Sequence, residues 1–277
     1  MRLRKYISVL AVFWCLAVWA GAGQVWCLPP APEFLDRVAA ARDRISTLEA
    51  VYEFQTPGEK LVVVQTVFFR APDRIRLNLS WPDREEVFLA AAGHCLVLSG
   101  DRAADAPWPQ PFLVYRLLVE SETAGLIKLM KEFGFNLSST ARERRAGREI
   151  FIIGAQPGDL NQPQVWFDAE TLDLIKLILP PGSGRPGYEV DLSDFLQNQA
   201  PRLKWPARID VRPGEGAMVR LKLKSLRVNP ELVQQDFDLE ELRRHTALSP
   251  DRDKNASQDP GLVRIRRIME WFRKKLE

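Results

Sequence analysis

Between Leu48 and Val228 the chain repeats one pattern, short runs of alternating apolar and polar residues cut by turns rich in glycine and proline. Ile75, Leu77 and Leu79 alternate with Arg74, Arg76, Asn78 and Ser80, and Arg220-Leu221-Lys222-Leu223-Lys224 repeats the scheme near the far end. Successive strand side chains point to opposite faces, so such runs are strands that bury one face and wet the other. Strands are predicted at 48–56, 61–70, 75–80, 87–89, 95–98, 135–143, 148–155, 164–168, 171–179, 187–196, 205–212 and 217–228, with Gly58, Gly93, Gly147, Gly158, Gly182 and Gly214 in the turns. Short turns without alternating long helices argue a mainly β, α+β fold built on an antiparallel sheet. A sheet of that many strands twists too strongly to stay flat and must curl into a barrel or half-barrel. Its concave face is then either filled with side chains or holds a ligand.

Helical spacing interrupts this pattern in three places. Pro29-Pro30-Ala31-Pro32 reads as a stiff non-helical lead-in, after which Phe34, Leu35, Val38, Ala41 and Ile45 predict a helix over about 33–46. Phe112, Tyr115, Leu117 and Leu118, then Leu126, Ile127, Leu129, Met130 and Phe133, predict two short helices, with Thr123 as N-cap of the second. A last short helix is expected over 236–244.

The ends carry different signals. Arg2, Arg4 and Lys5, an apolar run from Tyr6 to Ala20, and Ala20-Gly21-Ala22 make residues 1–22 a secretory signal peptide. The run is shorter than the ~20 residues that span a bilayer comfortably. The expected organisation is therefore a signal peptide over 1–22, a β-rich domain over 23–247, a disordered linker over 248–260 and a basic amphipathic helix over 261–277. In that last helix Leu262, Ile265, Met269, Phe272 and Leu276 share one face and the basic residues occupy much of the rest, a pattern suited to an anionic membrane surface or a partner. The tail carries net +4 and the leader +3 of a whole-chain +3, so the body is mildly acidic. A nucleic-acid partner, which needs a broad basic face, is not expected. Cys27 and Cys95 are the cysteines outside the leader; their spacing leaves a disulfide open, and Trp26 argues against a lipid anchor at Cys27, where a small residue should precede the cysteine.

Catalytic patterns are missing from the sequence. His94 and His245, its two histidines, have no partner at metal or catalytic spacing, and His94 reads as a surface turn residue. No GxSxG, HExxH or Cys/His cluster occurs. Gly182-Ser183-Gly184-Arg185-Pro186-Gly187 lacks the lysine and following helix of a phosphate loop and reads as a turn. The adjacent pairs Glu85-Glu86 and Glu240-Glu241 diverge and are expected to face water. Neither enzyme activity, a cofactor nor a metal is expected.

What remains is apolar surface. Phe68, Phe69, Trp81, Phe88, Phe133, Trp166 and Phe195 are spread over nearly every element; most should be core, and a subset facing the concave side would surround a cavity suited to acyl chains. The segment Val63 to Ser80, with Arg70 and Pro72 between two strands, followed by Glu86 to Ala91, Gly93 and Cys95 to Leu98, resembles the signature region of periplasmic lipoprotein carriers of the LolA/LolB type. Gln164-Val165-Trp166-Phe167-Asp168 with Leu172 to Leu179 is similar to their later strand pair, in which a Phe-Asp turn leads into a strand, and Trp205-Pro206-Ala207-Arg208-Ile209 to their closing hairpin. Ala71, inserted between Arg70 and Pro72, and Ala92-Gly93-His94-Cys95 in place of an Asp-Gly turn depart from that pattern. The resemblance implies an unclosed barrel with a helical lid over an apolar cavity, the helices at 110–133 as lid and Arg70 as its latch. On that reading Phe69, Leu77, Leu79, Phe88, Leu126, Met130 and Trp166 line the cavity beside Arg70. The implied function is a monomeric periplasmic carrier binding lipoprotein acyl chains or lipid, with inner- or outer-membrane partner proteins. The alternative is an envelope lipid-sensing or interaction module of the same fold.

Overall fold

Thirteen strands form one antiparallel sheet in the computed structural model, which describes residues 28–55, 62–91, 94–99, 102–105, 113–181, 187–198, 202–214 and 218–247. The predicted signal peptide, Cys27, linker, basic helix and most of the Gly182–Gly187 turn lie outside those residues. The strands are β1 (Thr47–Gln55), β2 (Val62–Arg70), β3 (Arg74–Trp81), β4 (Arg84–Ala91), β5 (His94–Ser99), β6 (Arg102–Asp105), β7 (Thr140–Arg145), β8 (Arg148–Ile153), β9 (Gln164–Asp168), β10 (Leu174–Leu179), β11 (Tyr188–Asn198), β12 (Leu203–Pro213) and β13 (Val219–Val228). Helices α1 (Ala31–Ala40), α2 (Leu113–Val119), α3 (Thr123–Glu132) and α4 (Leu239–Ala247) complete the described chain, with a 3-10 turn at Gln235–Phe237.

The sheet order is β6-β5-β4-β3-β2-β1-β13-β12-β11-β10-β9-β8-β7. The first and last strands pair in its middle, Leu48 opposite Val228 and Glu53 opposite Lys222. The two outer strands, β6 and β7, are not hydrogen-bonded to each other, so the barrel is unclosed. The chain that connects them carries α2 and α3. That connection brings both helices onto the concave face, where Leu113, Leu117, Leu118, Leu126, Leu129 and Met130 join Leu48, Val67, Leu77 and Leu177 of the sheet in one buried cluster. Helix α1 joins the same cluster through Phe34, Leu35 and Val38, and the Phe34 ring stacks on Phe151 of β8 at 4.0 Å.

Several sequence expectations shift. Helix α1 begins at Ala31 and ends at Ala40, because Pro32 falls in the first turn, where a missing N–H leaves no bond unmade. Ile45 is buried from the following loop instead. Thr123 does not cap α3: the N-cap position is Glu122, and the Thr123 hydroxyl donates to Asp36 Oδ1 at 2.6 Å. Residues 135–139 are turn rather than strand, with Phe135 reaching the core after Gly134 reverses the chain at φ +81°. The short β6 carries no alternating pattern and was not anticipated. Glu86 is buried rather than wet, whereas His94 is exposed as expected.

The convex face is largely ionic. Glu49 pairs with Arg227, Lys224 with Glu53 at 2.7 Å, and Asp210 receives hydrogen bonds from both Arg208 and Arg220. Strand β7 carries Arg142, Glu143, Arg144 and Arg145 along an outer edge, the kind of charge that discourages edge-to-edge aggregation.

Candidate functional site

A pocket of about 550 Å³ opens where the loop between α1 and β1, the end of α2 with the α2–α3 connection, and one end of the sheet meet. Ile45, Phe69, Val119 and Pro72 give it an apolar wall, while Arg44, Arg116, Glu120 and Glu122 stand with them around it. Its volume lies within the range of about 300–1,000 Å³ usual for small-ligand sites. Phe69 reaches it because β2 alternates: Val63, Gln65, Val67 and Phe69 are buried and the residues between them are only half-buried or exposed. Leu77, Leu79 and Phe88 sit farther along the same concave cluster, and Leu126 and Met130 meet them from α3.

Two predicted site residues stand elsewhere. Trp166 belongs to a separate cluster with Ala141, Ile150, Ile152 and Ile178. It is covered by Arg145 at 4.3 Å and Lys176 at 5.4 Å from the ring, a cation–π arrangement on the convex side. Its neighbours Val165 and Phe167 face the main core. Arg70 follows Phe69 and therefore points away from the lid. Its Nη1 donates to the Leu232 carbonyl at 3.1 Å, tying down the segment after β13.

Arg42, rather than Arg70, is the arginine hydrogen-bonded to the end of α2. Its Nη1 donates to the carbonyls of Leu117 at 2.6 Å and Glu120 at 2.9 Å, satisfying acceptors that the end of α2 leaves open. Burial pushes the Arg42 pKa down to about 10, against the opposing pull of Asp173 and Glu120. Two further links flank it, Arg44 with Glu122 and Thr123 with Asp36. In the pocket wall, Asn229 Oδ1 accepts from the Ser46 amide at 2.9 Å and the Ser46 hydroxyl at 3.1 Å. Sequence reasoning missed all three: Arg42 and Arg44 fall inside the helix expected over 33–46, which in fact ends at Ala40, and Asn229 lies one residue past the last predicted strand.

One polar group lies deep in the apolar interior. Tyr52 and Gln65 are opposite each other on β1 and β2. The Gln65 Nε2 donates to the Tyr115 hydroxyl of α2 at 2.6 Å, and the Tyr52 hydroxyl donates to the Pro206 carbonyl at 2.9 Å. The Trp205 indole stacks on Tyr115 with ring centres 6.2 Å apart. Burial holds the Tyr52 and Tyr115 hydroxyls above the usual phenol range, against the pull of Trp205 on Tyr52 and of Gln65 on Tyr115, so both are neutral.

Among the described residues no His, Cys, Asp and Glu group could hold a metal ion, and no helix is long and apolar enough to cross a membrane. Cys95 is buried as a free thiol, with burial pushing its pKa up to about 12; pairing with Cys27 lies outside the described residues.

No protein-family profile matches the sequence, and no curated protein does. Solved structures do match. A domain named as an outer membrane lipoprotein-sorting protein from Vibrio parahaemolyticus is 12% identical, with TM-score 0.50 over 77% of this chain and 98% of that one. A DUF1329 family protein from Desulfovibrio piger is also 12% identical, with TM-score 0.51 over 78% of this chain and 100% of that one.

Proposed function

We propose that the protein uses its unclosed, helix-filled β-barrel, similar in fold to the lipoprotein-sorting domain from Vibrio parahaemolyticus, as a periplasmic carrier. In this reading a lipoprotein acyl chain or lipid is hidden in the concave interior and delivered toward the outer membrane. The observation that carries it is the pairing of an apolar concave face with helices held at one end by polar links over an open pocket. In the closed state α1, α2 and α3 occupy the interior themselves. A ligand entering beneath the α2–α3 connection replaces their contacts with its own, gaining about 0.8 kcal/mol per buried CH₂. No bond is made or broken, so neither catalytic group nor cofactor is called for. The chain acts as a monomer on this account, and envelope proteins serve as donor and acceptor.

Native mass spectrometry of protein taken from the periplasm without detergent tests the reading. A co-purifying acyl species, released when the protein is mixed with acceptor vesicles, is the expected result. Protein that arrives empty and takes up no fatty-acid probe overturns it. Ligand held through the vesicle step favours the lipid-sensing alternative.

A further inference from the structure

An interior meant only for hydrocarbon has no use for an amide and an indole N–H. Yet Gln65 and Trp205 are 4% and 0% exposed, beneath α2. The Trp205 Nε1–H faces the Tyr52 hydroxyl but reaches neither it nor any other acceptor among the described residues in hydrogen-bonding geometry. A buried donor left in that state costs about 1–3 kcal/mol, a cost that phenylalanine at the same place would avoid. The partner of Gln65 belongs to a movable element: Tyr115 sits on α2, which Arg42 and Arg44 hold through its end and the α2–α3 connection. When α2 lifts, Tyr115 leaves with it, and Gln65 Nε2 and Trp205 Nε1 remain on the rigid sheet, on β2 and β12, as two donors in an apolar setting.

We propose that Gln65 and Trp205 form a recognition site for the ester or amide carbonyl of an acyl lipid, and that the Tyr115 hydroxyl occupies that site in the closed protein. The inference rests on the carrier reading and narrows it, since a carbonyl-bearing chain is preferred over bare hydrocarbon. The ligand oxygen accepts from Gln65 in place of the Tyr115 hydroxyl and supplies the acceptor that Trp205 lacks. Tyr52, committed to the Pro206 carbonyl, stays with the sheet and walls the site. Apolar contacts along the chain give affinity, while the two donors fix how far the chain inserts.

Displacement of a fluorescent fatty-acid probe from the full-length protein, by ester-linked and ether-linked glycerophospholipids of equal chain length, tests the proposal. The ether lipid lacks the carbonyl and is otherwise matched. The ester lipid is expected to bind about tenfold more tightly, in line with two hydrogen bonds in a dry site. Gln65→Leu and Trp205→Phe should each shrink that ratio toward unity while leaving ether-lipid affinity in place. Tyr115→Phe removes only the competing hydroxyl and should raise the ratio, whereas a purely structural Tyr115 would lower thermal stability and leave the ratio alone. An S-diacylglyceryl lipopeptide in the same titration separates a lipoprotein source of the carbonyl from a phospholipid source. Equal affinities for ester and ether lipid overturn the site and leave the carrier standing. No binding of either lipid or probe overturns both.

Discussion

Arg42 and Leu117 are joined across the mouth of the sheet by a 2.6 Å hydrogen bond, from the guanidinium Nη1 to a carbonyl in the last turn of α2. The same nitrogen reaches the Glu120 carbonyl at 2.9 Å, so one side chain terminates the helix and fixes the chain that turns toward α3. A cation at a helix C-terminus also complements the helix dipole. Arg42→Ala leaves these acceptors bare, and the expected loss is about 1.5–3 kcal/mol, the range for hydrogen bonds to a charged group. Chemical unfolding reads that loss, and stopped-flow uptake of a fatty-acid probe should be faster in the variant. Arg70→Ala is the control: it frees the segment around Leu232 and leaves probe uptake unchanged.

Gly125 lies in the first turn of α3, where an added Cβ would overlap the carboxyl group of Glu120. That carboxyl accepts from the Glu122 amide at 2.9 Å, supplying at the start of α3 what Thr123 does not. Gly125→Ala therefore pits a gain in helix propensity of about 1 kcal/mol against displacement of this acceptor. In the wild-type background the two nearly cancel. With Glu120→Ala already in place there is nothing to displace, and Gly125→Ala should stabilise by the full propensity difference. A double-mutant cycle from denaturant midpoints measures it. Equal effects in both backgrounds would show that the two residues do not interact.

Strands with one wet face were legible from the sequence, and those with two dry faces were not. On β3 the buried residues Ile75, Leu77 and Leu79 alternate with half-buried polar ones, so period alone assigned them to the concave side. Every residue of β9 is buried, and alternation there says nothing about direction; Trp166 was thus placed with the cavity although only Val165 and Phe167 face it. The Asp168 turn was readable, and its Oδ1 accepts from the Glu170 and Thr171 amides at 3.0 and 2.9 Å. The tie from Arg42 to α2 was not readable. Arg42 and Arg70 are both arginines near the end of an element, and what separates them is which carbonyls the fold brings within reach. The Gln65–Tyr115 pair joins residues fifty positions apart, and no local pattern announces it.

Asn229 has φ +54°, a left-handed conformation that asparagine tolerates better than most residues, while its Oδ1 holds Ser46 beside the pocket. Two substitutions separate backbone from side chain. Asn229→Gly keeps the conformation and loses the hydrogen bonds; Asn229→Ala loses both. Stability should fall in the order wild type, glycine, alanine, with about 1 kcal/mol between the last two from the left-handed alanine. Thermal melts decide it, and alanine melting above glycine would mean that this backbone geometry is not held in solution.

Two carboxylates give opposite pH signatures. Burial raises the Glu120 pKa above 4.5, against the hydrogen bond from the chain at Ser121 and the pull of Arg116, Arg42 and Arg44. Above 4.5 the folded form then holds more protons than the unfolded one, so this group's contribution falls as pH rises through its folded pKa. Asp210 is also pushed up by burial, but hydrogen bonds from Arg208 and Arg220 outweigh that and hold it below 3.8. Its stabilisation is present above 3.8 and is lost as pH falls through the folded pKa. Glu120→Gln should therefore melt higher than wild type at pH 7, with the gain vanishing by about pH 4 as the wild-type carboxyl protonates. Asp210→Asn should melt lower at pH 7, with the deficit closing only in stronger acid. Melting curves of both variants and wild type across this range check the signs. A Glu120→Gln variant that loses stability at pH 7 would mean that ion pairing with the surrounding arginines, rather than burial, governs this carboxyl at the hinge of the lid.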